Sequence, residues 1–130
     1  MIYIDANILI YLLEDHGEKS LFIADTLDEF RAKQQPFLTS VITITEFLAG
    51  TRTLNRDTLG TISGLGFQIV DETIAESAAR LQRDKNLKIG DAVHLATAIQ
   101  NNAAVFFTND RQLAKAASQY LEVKTLSMVV

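Results

Sequence analysis

The sequence contains no cysteine, so it has no disulfide framework, no thiolate nucleophile and no Cys-bound zinc or iron–sulfur site. Proline occurs once and glycine six times, which argues against a loop-rich all-β chain and favours one built on helices. Tryptophan is absent, and only two histidines are present, His16 and His94. Apolar runs are short: the segment from Met1 to Leu13 is interrupted by Asp5 and Asn7 and falls below the roughly 20 residues a membrane span needs. With no basic leader before that run, the expected location is cytoplasmic, with no membrane partner. An excess of positive charge is also missing. Formal charge is −4, so no global basic footprint marks a nucleic-acid binder.

What is present describes one folded domain, residues 1–130. Hydrophobic residues make up 48% and charged ones 22%, close to a soluble globular average and far from a disordered or fibrous chain. At this length a domain hides roughly two-thirds of the surface its unfolded chain would expose, enough for an unaided core. Five short apolar runs read as buried strands: Ile2 to Asp5, Phe37 to Thr39, Phe67 to Val70, Ala104 to Phe107 and Glu122 to Thr125. Helical spacing runs between them, through Ile23, Leu27 and Phe30, through Ile74, Ala78 and Leu81, and through Ala92, Leu95, Ala96 and Ile99. Stretches 8–14, 42–50, 54–62 and 110–119 are shorter helix candidates. Pro36 is expected to stop a helix before the second strand, and Gly60, Gly64 and Gly66 to break the chain before the third. Alternating strands and helices imply right-handed βαβ units, hence a three-layer α/β/α sandwich around a five-stranded, mainly parallel sheet.

In such a sheet, ligands bind beyond the carboxyl ends of the strands, where the strand order reverses. Asp5 closes the first apolar run and Asp110 follows the fourth; Glu46 and Asp91 stand at the starts of helices. Each has an ordinary structural explanation. Asp91 suits a helix N-terminus as a dipole partner, and Asp110 or Asn109 could cap the last long helix. Thr43 and Glu46 have capping-box spacing, and Asn7 suits a turn. Asp5 is the exception, because an ionisable group ending an apolar central strand is costly unless it is paired or binds something. Four carboxylates in one crevice would repel each other unless cations held them apart, and hard oxygen donors suit Mg²⁺ or Mn²⁺. His94 follows Asp91 by three residues and could reach a metal, but reads more readily as a half-buried structural histidine.

The segments Asp5-Ala6-Asn7, Thr43-x-x-Glu46 with Gly50, Asp91-Ala92-x-x-x-Ala96-Thr97-Ala98 and Thr108-Asn109-Asp110, in that order, resemble the successive signatures of PIN-domain ribonucleases. The resemblance covers essentially the whole chain and is nearest to VapC-type toxins of toxin–antitoxin pairs. It implies an acidic quartet of Asp5, Glu46, Asp91 and Asp110, serving as catalytic residues and metal ligands, with Asn7, Thr108 and Asn109 supporting them. It further implies one or two Mg²⁺ or Mn²⁺ ions, hydrolysis of an RNA phosphodiester with a 5′-phosphate product, a homodimer, and a cognate antitoxin that holds the enzyme inactive. With the four acids set aside, twelve acidic residues face twelve basic ones, so phosphate contacts would fall to local bases: Arg52, Arg56, Lys85, Lys88, Arg111 and Lys115.

Two other readings compete. An aspartyl phosphatase using Asp5 would want a second Asp two residues on, where Asn7 stands. A non-catalytic α/β binding module is disfavoured by the presence of all four acids. No G-x-S-x-G, G-x-G-x-x-G or P-loop pattern occurs.

Overall fold

The computed structural model describes residues 1–14 and 16–126 of the chain. In order, the elements are β1 (Ile2–Ile4), α1 (Ala6–Leu13), α2 (Glu18–Ala32), β2 (Phe37–Ser40), α3 (Ile42–Gly50), α4 (Arg56–Leu59), β3 (Leu65–Gln68), α5 (Glu72–Lys85), α6 (Ile89–Gln100), β4 (Val105–Phe107), α7 (Arg111–Ala117) and β5 (Glu122–Lys124). The five strands pair in the order β3-β2-β1-β4-β5, every pair parallel. The chain builds outward from β1 to β3 on one side, then returns to start β4 and β5 on the other. Strand order therefore reverses between β1 and β4, whose register pairs Ile4 with Phe107.

Alternation along the central strands sorts their side chains into two cores. Tyr3 and Phe106 point to one face, where Ile74, Ala78 and Leu81 of α5, Leu95 of α6 and Leu113 of α7 cover them. Ile2, Ile4, Val105 and Phe107 point to the other, against Ile8 and Leu9 of α1, Ile23 and Leu27 of α2 and Phe47 of α3. Helices on both faces make the expected three-layer sandwich. Register partners Tyr3 and Phe106 stack with ring centroids 5.3 Å apart. Among the described residues, no helix is long and apolar enough to cross a membrane.

Several boundaries differ from the sequence expectation for identifiable reasons. β1 ends at Ile4, and Asp5 is instead the N-cap of α1, so Asn7 lies inside a helix rather than in a turn. β3 starts two residues early, because pairing of Leu65 to Gln68 with Phe37 to Ser40 decides its extent. Gly66 sits within that edge strand and does not precede it; Gly64, at φ +82°, makes the break, in a conformation that strains any other residue. The expected helix over 54–62 shrinks to α4, opened by a capping box between Asn55 and Thr58. α2 ends at Ala32, four residues before Pro36. No capping box joins Thr43 and Glu46: the N-cap of α3 is Val41, and Thr43 is buried with its hydroxyl 2.6 Å from that of Thr39.

Candidate active site

The reversal point between β1 and β4 gathers side chains from four segments of the chain. Asp5, only 4% exposed, is held at both carboxylate oxygens: Oδ1 accepts the Ala6 N–H at 2.8 Å and Oδ2 accepts the Thr108 hydroxyl at 2.7 Å. The Thr108 oxygen in turn accepts the N–H of Asp110 at 3.1 Å. Asp110 caps α7, its Oδ1 accepting the Leu113 N–H at 3.0 Å. Asn7 Oδ1 accepts the N–H of Asn109 at 3.1 Å, which clamps the loop after β4 to the first turn of α1. Asp91 lies in the first turn of α6, where its charge suits the helix dipole. Glu46 projects from α3 toward that turn: a Cβ added at Gly90 would meet its Oε2 at 3.1 Å, so only glycine leaves this carboxylate undisturbed.

His94 stands inside this group. Expected as a half-buried structural residue, it is fully buried, and its ring links the acids to the sheet. Nδ1 lies 2.6 Å from the Tyr3 hydroxyl, while Nε2 lies 2.5 Å from Glu46 Oε1 and 3.5 Å from Asp5 Oδ1. One signal in the sequence pointed here: three residues along a helix from Asp91 places His94 on the same face. Its other partners are remote in sequence and become visible only after folding.

Electrostatics show that these charges feel one another. Burial, and then the negative charge of Asp5 and of Asp110, push the Asp91 carboxyl up to about 6; Glu46 adds to the rise and His94 opposes it. Burial also raises Asp5, with Glu46 reinforcing the effect against the charge of His94 and the hydrogen bond from Thr108. Burial alone would favour neutral His94, but Asp5, Glu46 and Asp91 outweigh it, and its pKa rises. Tyr3 is raised by burial and by the charge of Asp5, so its hydroxyl keeps its proton.

The basic residues are dispersed. Lys88 is the exposed N-cap of α6, and Arg111 follows Asp110 at the first position of α7. Arg52 is exposed just beyond α3, while the Arg56 guanidinium packs 5.0 Å from the centroid of Phe67. Lys85 hydrogen-bonds Gln119 and lies over Tyr120. Together with Lys115 it lines a cavity also formed by Asn86 and Gln112, to which none of the four acids contributes.

The PIN domain family model matches residues 2–119, and the chain belongs to that family. Solved structures share its fold over nearly their full length. A toxin–antitoxin complex from Klebsiella pneumoniae contains a chain 25% identical, with a TM-score of 0.74 and coverage of 96% of this chain and 97% of that one. VapBC2 from Rickettsia felis, bound to a DNA fragment from their promoter, matches at 19% identity and a TM-score of 0.72, covering 96% and 98%. VapC20 from Mycobacterium tuberculosis, a Sarcin-Ricin loop cleaving toxin, matches at 17% identity and a TM-score of 0.69, covering 95% and 99%. Comparison with curated proteins gives no match.

PIN-domain nucleases generally use divalent metals, and the donor set here fits such an ion. Four carboxylates offer hard oxygens, and two of them, Asp5 and Asp91, are pushed toward protonation by burial and by neighbouring carboxylates, an imbalance a cation relieves. Among the described residues, no three His, Asp or Glu side chains stand close enough to cage an ion by themselves. Mg²⁺ and Mn²⁺ keep several waters and share their coordination with substrate phosphate, so they need few protein oxygens.

Proposed function

We propose that this chain is a divalent-metal-dependent endoribonuclease, the toxin of a toxin–antitoxin pair. The observation that carries the reading is the convergence of Asp5, Glu46, Asp91 and Asp110 at the carboxyl ends of β1 and β4, where Thr108 joins Asp5 to the backbone of Asp110 and His94 lies against both Asp5 and Glu46. Membership of the PIN family and likeness to VapC-type toxins support nuclease chemistry, and the neighbour described as Sarcin-Ricin loop cleaving supports RNA as substrate. Likeness to chains solved in toxin–antitoxin complexes supports an antitoxin partner. The family resemblance extends this to a homodimer.

Asp5, Asp91 and Asp110 would hold Mg²⁺ or Mn²⁺, with Glu46 reaching it directly or through water. When bound there, the ion supplies an acidified water and neutralises charge on the reacting phosphoryl oxygens. The chain's own residues set the geometry. Thr108 fixes Asp5 and the backbone of Asp110 through one hydroxyl, and Asn7 fixes the backbone of Asn109. Lys88 and Arg111 lie close to Asp91 and Asp110 in sequence, are exposed, and would contact substrate phosphates. So few bases imply weak, salt-sensitive affinity for arbitrary nucleic acid, with selectivity drawn from RNA shape and unstacked bases.

The test is cleavage of a set of structured RNAs with Mg²⁺ or Mn²⁺ by the parent, Asp5→Asn and Asp91→Asn. The parent should cut, leaving 5′-phosphates, and both variants should be inactive while still folded. Parental rates in both variants overturn the assignment. A small upstream reading frame encoding a DNA-binding N-terminus would support the toxin role, and its absence would leave a stand-alone nuclease.

A further inference from the structure

We propose that Tyr3 and His94 form a buried hydrogen-bonded strut that fixes the Glu46 carboxylate in the crevice, making both of them positioning residues for the metal-holding acids. The inference rests on the site reading above and adds two residues to it.

Geometry defines which way the strut works. An ionised carboxylate only accepts hydrogen bonds, so the short contact between Glu46 Oε1 and His94 Nε2 places a proton on Nε2. That nitrogen then has no lone pair for a cation. His94 is thereby a donor that holds a carboxylate and not a ligand, although it lies three residues from Asp91 on the same helix. The far side of the ring is equally committed: Nδ1 meets the Tyr3 hydroxyl at 2.6 Å. Tyr3 is itself enclosed, fully buried in the central strand and stacked on Phe106, with the His94 ring packed edge-on at 5.8 Å. Neither Tyr3 nor His94 has any solvent exposure, so water cannot replace either partner. Glu46 contrasts with them. Its side chain is 40% exposed at the rim, and the hydrogen bond from His94 is the contact that ties it to the core. A partner that orients a ligating side chain in this way typically governs metal affinity by about 10- to 100-fold.

The experiment is calorimetric titration of Mn²⁺ into cation-free protein, with RNA cleavage and thermal unfolding recorded on the same samples. The variants are H94L, which removes the donor at similar bulk, H94Q, which restores a donor amide, Y3F, which keeps both ring contacts, E46Q, and the H94L/E46Q pair. H94L should weaken Mn²⁺ binding about 10- to 100-fold, H94Q should recover most of that loss, and Y3F should fall between. Because His94 acts through Glu46, the double variant should bind no more weakly than E46Q alone. Folded H94L that binds Mn²⁺ and cuts RNA like the parent overturns the strut, as does a double variant whose loss equals both single losses combined. If H94L fails to fold, parental Mn²⁺ affinity in Y3F overturns it instead. Parental Mn²⁺ binding and cleavage in E46Q would refute the site reading itself, a result distinct from a harmless H94L beside a damaged E46Q.

Discussion

The Thr108 hydroxyl donates to Asp5 Oδ2 at 2.7 Å across 103 residues of sequence, and the same oxygen accepts the N–H of Asp110. One side chain thus sets the distance between two of the four acids. It also satisfies part of a carboxylate that burial would otherwise make costly to ionise.

Thr108→Val keeps the shape but removes this donor. It should lower stability by about 2 kcal/mol, the usual worth of a hydrogen bond to a charged group, as measured by urea denaturation at pH 7. Thr108→Ser should recover most of the loss, because the hydroxyl returns.

Asp110 has two separable duties, capping α7 and lending charge to the crevice. Asp110→Asn keeps an N-cap oxygen and should leave stability near the parent's. Asp110→Ala should lose about 1 kcal/mol as the Leu113 N–H goes uncapped. Both should be inactive on RNA, so unfolding curves separate the variants while a cleavage assay does not.

How much was legible before folding depends on whether a residue's role is local. Asp5 and Asp110 were legible as candidates because each follows an apolar strand, where a charged group needs a reason. The sandwich was legible because strands and helices alternate, and Tyr3 on one face with Ile4 on the other confirm the two-sided burial of the central strands. On sequence alone His94 has only the pattern of a half-buried structural residue, because its partners Tyr3 and Glu46 lie 91 and 48 residues away. Thr43 looked like half of a capping box on spacing alone, yet it is drawn inward by Thr39 on the neighbouring strand. The extent of β3 escaped for a similar reason. Its ends are set by β2, and local hydrophobicity does not encode that register.

Without a cation, stability should fall as pH rises from 5 to 8. Asp5 and Asp91 are raised in the fold, Asp91 to about 6, so the folded state binds more protons than the unfolded state and unfolding becomes easier as pH climbs past 4. His94 acts in the same direction. Its pKa is raised against burial by Asp5, Glu46 and Asp91, and the stability this contributes is complete below 6.5 and lost as pH passes the folded value. Thermal unfolding in EDTA across this range checks the sign. Asp91→Asn should flatten the lower part of the curve, and a rise in Tm with pH would contradict the electrostatic account.

Asp5→Asn removes a carboxylate whose burial makes its charge costly and which Glu46 repels, so in EDTA it should be as stable as the parent or more so. Added Mn²⁺ should reverse the ranking, raising the Tm of the parent by binding only its folded state.

Calorimetry of Mn²⁺ with the parent and with Asp5→Asn, both folded and stripped of cations at pH 7.5, tests most directly whether this crevice exists to hold a divalent ion. The account predicts saturable binding of one or two ions by the parent and none by the variant. A parent that binds no ion, or a variant that binds as the parent does, would contradict it.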